Sequence, residues 1–307
     1  MSGHRTIERE RTRSLALLLS PITLLLGIFF LIPLGITIVY SFLEPGMYGG
    51  VVWSFFPYNY GRLFGWPIGG GEEFEPLYIQ ILFNSLKYAV LTVIISLVLC
   101  YPVAFWVSRM TGMVKNLMLF AITLPFFANL LIRIYAWLLL LRPTGTINSA
   151  LISLGFVDKP LNMMFTEFAV IVGMVYVFIP FMFLPIYASV ERLDWSLVQA
   201  SQDLGASPLQ TFRRIILPLT APGILGGSTI VFIPALGNFI VPSFLGGSKV
   251  QLIGNVIERQ FLQARNWPFG STLSTVIMGS VMTIVLLYAL GTRSSFSRSA
   301  RKGAGNG

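Results

Sequence analysis

The sequence predicts an all-helical, polytopic membrane protein with six transmembrane helices, and three observations carry that prediction. Of the 307 residues, 55% are hydrophobic and only 11% are charged, against roughly a quarter charged in an average soluble domain. Several stretches run about 20 residues or more without an acidic side chain, the length an α-helix needs to cross a hydrocarbon core about 30 Å thick. The basic residues are also shared unevenly between the connections, which is how a membrane protein encodes its orientation. The net charge of +9 is therefore read as orientation, and nucleic acid is not an expected partner.

The hydrophobic pattern places the spans at residues 15–40, 82–107, 117–141, 168–188, 224–245 and 271–291. The first follows Arg5, Arg9, Arg11 and Arg13, as in a secretory signal. Its apolar run is too long for a signal core and no small-x-small site follows, so it reads as an uncleaved span. The organisation is then a basic tail at 1–14, a membrane domain at 15–291 and a basic tail at 292–307. Connections 1–14, 108–116, 189–223 and 292–307 hold thirteen Lys and Arg residues, and the opposite set holds six. The positive-inside rule puts the richer set, and so both termini, in the cytoplasm. The outer segment 41–81 is aromatic and acidic, with Glu72, Glu73 and Glu75 beside Gly69 to Gly71, and reads as a solvated loop. No internal repeat is evident.

Inside the spans, Lys87 stands near enough to the outer end of the second to reach water by snorkelling. Arg133 lies deeper, about eight residues or roughly 12 Å from the end of the third span, where an arginine costs about 2.5 to 3.5 kcal/mol on insertion scales. It either snorkels or sits at a subunit interface or pathway beside Asn129 and Tyr135. In the fifth span Gly226, Gly227, Pro234, Gly237 and Asn238 interrupt the helix. Broken membrane helices line cavities, while small residues also let helices pack closely. Pro234 and Asn238 are accordingly pathway candidates. Trp137 and Tyr176 offer faces to an ammonium group, worth about 0.5 to 2 kcal/mol, or serve as packing.

The connection at 189–223 has the most informative local pattern. Asp194 is placed to cap a helix running through Trp195, Leu197, Val198 and Leu204 and ended by Gly205. Ser207, Pro208 and Gln210 then hold the positions of a capping box, so a second helix starts there and stops or kinks before Pro218. The spacing of Leu197, Ala200, Ser201 and Leu204 puts them on one side, which either docks into a groove or lies on the membrane surface.

Gln199-Ala200-Ser201, with Gly205 and Ala206 beyond and Ile215, Leu217 and Pro218 further on, resembles the EAA loop of ABC importer permeases. Asn129 to Tyr135, Asp203 to Pro222, Leu252 to Ile257 and Trp267 to Gly270 likewise resemble the spermidine/putrescine importer permeases, and the likeness runs from the first span to the sixth. It implies a type I ABC importer permease fold with cytoplasmic coupling helices in a bacterial inner membrane. The partners it implies are a sibling permease, an ABC ATPase dimer holding ATP and Mg, and an extracytoplasmic substrate-binding protein, with membrane lipid around the spans. Two departures stand out: the family's usual Glu is Gln199, which offers hydrogen bonds but no salt bridge, and its second Ala is Ser201. Against a polyamine, Arg133 would act as a barrier or gate anchor. Permeases for opines, ferric ion, sulfate or thiamine share the loop and are the nearest alternatives.

Enzyme chemistry has no equipment here. One histidine, His4, and one cysteine, Cys100, make neither a triad nor a metal set, and no lysine ends a Walker A run. The chain itself is expected to bind no cofactor. A proton- or sodium-driven carrier is the rival of a different class, but it normally keeps carboxylates in its spans as relays. All twelve acidic residues fall outside the spans as drawn, which argues for energy supplied by another polypeptide.

Overall fold

A computed structural model describes residues 2–66, 76–247 and 249–303, with side chains over 18–66, 76–247 and 249–286. Glu72, Glu73, Glu75 and the glycine run beside them lie outside the described residues. In chain order the elements are α1 (Ser2–Tyr40), β1 (Leu43–Pro45), β2 (Val51–Phe55), α2 (Tyr58–Leu63), α3 (Leu77–Ser108), α4 (Gly112–Phe127), α5 (Leu130–Leu141), α6 (Thr146–Ser153) and α7 (Glu167–Glu191). They continue with α8 (Trp195–Asp203), α9 (Pro208–Thr211), α10 (Leu217–Leu236), α11 (Ile253–Glu258) and α12 (Trp267–Gly303). Short π-helical stretches lie at Phe212–Ile216, Pro242–Gly246 and Arg259–Gln263.

Among the described residues, six segments are long and apolar enough to cross a membrane: Leu18–Tyr40, Leu77–Ser108, Leu130–Ser153, Glu167–Glu191, Pro208–Leu236 and Trp267–Leu286. The number matches the hydrophobic pattern, and the third and fifth segments differ from it. No single helix covers 117–141. The backbone is extended at Ala128, and Asn129 instead opens α5, its side-chain oxygen accepting the Leu131 N–H at 2.8 Å. A short polar side chain that bonds to nearby backbone competes with helix continuation, so a polar residue within an apolar run divides it. The third crossing then passes from α5 through a turn into α6. Asn148, fully buried, holds that turn by donating to the carbonyls of Arg142 and Leu161 at 3.0 Å each.

The fifth span begins earlier than residue 224. The helix that starts at Pro208 continues through the π-helical stretch into α10 and ends at Leu236. Pro218 lacks an N–H and its ring crowds the carbonyl four residues back. The π turn just before it provides the irregularity that a proline demands, without ending the helix.

The chain divides into two compact units, 77–258 and 1–76 with 259–307. In the first, α7 is the central helix: 61% of its apolar window is buried within the chain, against none for Leu18–Tyr40 of α1. It packs against α3 and α10. Two glycines allow that closeness, since a Cβ on Gly223 would meet the Pro185 carbonyl at 2.5 Å and one on Gly227 the Met182 carbonyl at 3.1 Å. Gly226 faces open space, so of the two small residues only Gly227 serves packing within the chain.

In the other unit, α1 and α12 pack together and the outer segment contains structure that the hydrophobic pattern does not reveal. β1 and β2 form an antiparallel hairpin, pairing Leu43 with Phe55 and Pro45 with Val51. Asn59, 2% exposed, donates to the carbonyls of Ser41 and Leu43. Thr272 on α12 also donates to Ser41 at 3.0 Å. Tyr40 and Trp267 stack at 6.5 Å. The strands are too short for alternation to register against the surrounding aromatics.

Candidate functional site: a capped helical hairpin and the interrupted spans

The segment from Asp194 to Thr211 folds as two short helices joined by a tight turn, each end fixed by its own sequence. Asp194 accepts the Ser196 N–H at 3.0 Å, capping α8. That hydrogen bonding from Ser196, side chain first and backbone second, lowers the carboxyl pKa below its ordinary value. α8 ends in a Schellman motif: Gly205 N–H bonds to the Gln202 carbonyl and Ala206 N–H to the Ser201 carbonyl. Gly205 has φ +80°, and a Cβ placed on it would meet nothing within 4 Å, so its requirement is conformational and not steric. Ser207 and Gln210 then make a reciprocal capping box.

The two helices are joined by hydroxyls. Ser201 donates to the Val198 carbonyl at 2.8 Å and lies 2.9 Å from the Thr211 hydroxyl, both side chains being buried. This corrects the predicted one-sided set: Leu197, Ala200 and Leu204 are exposed, while Ser201 faces inward. The helical angle between positions 200 and 201 is large enough for the packing of α9 to separate them. Val198 belongs to a small core with Leu193 and Ile216, flanked by Phe105, Trp195 and Phe212. Outside it the hairpin presents Gln199 and Ala200 to solvent, with Leu204 87% and Leu209 65% exposed. Ala206 and Ile215 are half-buried, and Leu217 and Pro218 are exposed.

Elsewhere in this unit the predicted pathway residues are spread over three helices. Asn129 caps α5, and Asn238 caps the stretch after α10 by accepting the Val241 N–H at 3.0 Å. Both asparagines therefore hold helix starts. Tyr135 meets Phe244 edge-on at 5.4 Å, and Trp137 meets Tyr176 likewise at 5.5 Å, so these rings join α5 to its neighbours. Pro234 is exposed on α10. No hydrogen bond or ring contact among the described residues gathers these positions into one cluster.

Arg133 is half-buried, and its Nε and Nη1 are covered without a hydrogen-bond partner among the described residues. Covered donors of this kind are uncommon and expensive. Lys87 reaches Glu167 at 3.3 Å, and Lys115 reaches Glu191 at 2.6 Å. The helices run past the apolar limits, so Glu167 and Glu191 become the first and last residues of α7. The Lys87 pair is half-exposed or more on both sides and adds little stability.

Asn255 is the residue whose importance the sequence does not announce. It is 4% exposed, donates to the Phe239 carbonyl at 2.9 Å and to the Ser243 hydroxyl at 2.6 Å, and accepts the Leu252 N–H. The Phe239 carbonyl, in the break that follows the fifth span at 237–239, is thus satisfied by protein. Gly254 permits the approach, because a Cβ there would stand 2.5 Å from the Gly237 carbonyl. The sequence signals were an Asn beside a Gly in an apolar stretch and the place of both in the Leu252–Ile257 run that resembles the spermidine/putrescine permeases.

Six segments long and apolar enough to cross a membrane, the fifth running on directly from a capped hairpin, are the architecture of a polytopic membrane protein. The chain belongs to the family described as binding-protein-dependent transport system inner membrane component, whose model matches residues 77–293. It is 46% identical over 213 residues to the spermidine/putrescine transport system permease protein PotB of Escherichia coli (strain K12), covering 68% of this chain and 78% of that one. The protein of the same name from Haemophilus influenzae (strain ATCC 51907 / DSM 11121 / KW20 / Rd) is 45% identical over 215 residues, covering 70% and 75%. The inner membrane ABC transporter permease protein YdcU of E. coli (strain K12) is 37% identical over 217 residues, covering 66% and 68%. The crystal structure of a bacterial ABC transporter involved in the import of the acidic polysaccharide alginate shares the fold, with a TM-score of 0.71 over 95% of this chain and 99% of that chain at 18% identity.

Proposed function

We propose that this chain is the permease subunit of an ATP-driven importer that carries polyamines, spermidine and putrescine, across the bacterial inner membrane. The observation that carries the reading is the identity of 44 to 46% to permeases named for those two substrates. The spans support it by keeping acidic side chains to the ends of α7, so proton relays are not built into the described helices. Weak sites suit a conduit whose selectivity resides in an external binding protein.

In this reading the chain pairs with a sibling permease. Two ATPase subunits bind ATP and Mg, and an extracytoplasmic binding protein delivers cargo to the outer segments. Both termini lie in the cytoplasm, as the distribution of Lys and Arg supports. The hairpin is the coupling element: Gln199, Ala200 and Gly205 meet the ATPase groove, Ser201 and Ala206 hold the turn, and Ile215, Leu217 and Pro218 carry the displacement into the fifth span. Asn129, Arg133, Tyr135, Tyr176, Pro234 and Asn238 border the pathway, with Arg133 as a positive barrier that a polycation does not occupy at rest.

The test is uptake of labelled spermidine and putrescine in vesicles containing this chain with its partner subunits, comparing wild type with Gly205→Asp. ATP-dependent uptake that the substitution abolishes, at normal membrane insertion, is the expected result. Uptake driven by a proton gradient without ATP would overturn the ATP-driven reading. ATP-driven transport of a different solute alone would remove the polyamine assignment.

A further inference from the structure

The end of α3 and the residue just past it make a graded set of contacts with α8, with the π-helical stretch and with α10. Tyr101 and Phe105 are four residues apart and so share a face of α3, and Arg109 follows one residue past its end. Tyr101 meets Phe212 edge-on at 5.7 Å, and its hydroxyl lies 2.9 Å from that of Thr220 on α10. Phe105 meets Trp195, the first residue of α8, at 5.5 Å. Beyond them the Arg109 guanidinium stands 4.6 Å from the centroid of Phe105 and 4.6 Å from that of Trp195. Among the described residues Arg109 has no carboxylate partner, so two ring faces from two different elements hold its charge.

From this geometry we infer that Arg109, seated against both Phe105 of α3 and Trp195 of α8 where the two rings meet edge-on, is a positioning residue that binds the hairpin to α3, so that α3 moves with it. This rests on the coupling reading of the hairpin and adds a second receiving helix to α10. An arginine is suited to the position because its planar guanidinium can lie against aromatic faces, whereas a lysine presents a compact, strongly hydrated charge. A basic residue needed only to mark the cytoplasmic side would be served equally by either.

The experiment uses the whole transporter, with its partner subunits, in proteoliposomes, and reads putrescine imported per ATP hydrolysed. Arg109→Lys keeps the charge and loses the guanidinium contact with the two rings, and is expected to lower that ratio about threefold while ATP hydrolysis and assembly persist. Trp195→Leu is expected to lower it about fivefold in the same way. A wild-type ratio in Arg109→Lys, or hydrolysis and uptake falling in step, would overturn the inference; should Trp195→Leu fail to assemble, the exposed Arg109→Lys exchange decides alone. Gly205→Asp run in parallel separates the two readings. If it leaves uptake intact, the hairpin is not the coupling element; if it abolishes uptake while Arg109→Lys keeps the normal ratio, only the Arg109 inference falls.

Discussion

Replacing Gly205 by alanine isolates one term in the hairpin. The residue has φ +80° and open space where a side chain would project, so the change brings no collision, only the left-handed backbone cost of about 1 to 2 kcal/mol for an L-residue. That energy shifts the balance between the closed turn and looser forms by a factor of roughly 5 to 30. The Schellman bonds from Gly205 and Ala206 to Gln202 and Ser201 are the ones released, and the Ser201–Thr211 hydroxyl contact would follow. Hydrogen exchange of the purified permease reads this directly: amides 204–206 should lose protection by about that factor in Gly205→Ala, with α3 and α7 unchanged. Gly205→Asn should retain most of the protection, because asparagine tolerates the left-handed region. If alanine and asparagine behave alike, or if alanine leaves exchange unaltered, the conformational explanation for this glycine is wrong.

Three further outcomes follow from other residues. The Asp194 carboxyl is held below its ordinary pKa by Ser196, so its capping contribution is fully present above the unfolded value and is lost as pH falls through the lowered folded one; amide protection at 196–198 should fall in acid in wild type and stay flat in Asp194→Asn. Asn255→Ala removes the amide donor to the Ser243 hydroxyl and to the Phe239 carbonyl, which keeps only the Ser243 N–H, and takes the acceptor from the buried Leu252 N–H; it should destabilise the permease by about 1 to 3 kcal/mol, measured as a lower Tm in detergent, with Asn255→Asp failing to rescue it. Arg133→Met removes two covered donors that lack partners among the described residues and should raise the Tm of the isolated chain, since an apolar replacement of an unpaired buried polar group relieves its desolvation cost; a fall in Tm would show that the guanidinium is paired.

What was legible in the sequence is what repeats or caps. The helical crossings follow from apolar run length, and the hairpin follows from Asp194, Gly205 and the Ser207–Gln210 box, all of which act within five residues. Long-range packing was not legible. Ser201 has the spacing of an exposed docking residue, and only the position of Thr211 across the turn buries it. Asn129 and Asn238 read as pathway candidates because they are polar in apolar runs, and the side-chain oxygen of each also caps the helix start beside it. A sequence does not distinguish a polar group facing a cavity from one satisfying the next two amides. Asn255 was hidden for the complementary reason, since its partners at 239 and 243 become neighbours only when the fifth span breaks.

The uninterrupted helix from Pro208 to Leu236 has a mechanical consequence. Its 29 residues form a rod about 43 Å long at 1.5 Å per residue. If the π turn at Phe212–Ile216 acts as a fulcrum, the arm beyond it is roughly 30 Å, so a tilt of about 5° sweeps Leu236 through approximately 3 Å. The short arm on the hairpin side travels only a fraction of that. On that geometry the helix would gear a small stroke at one end into a displacement comparable to an atomic diameter at the other, and the helix ends at Gly237.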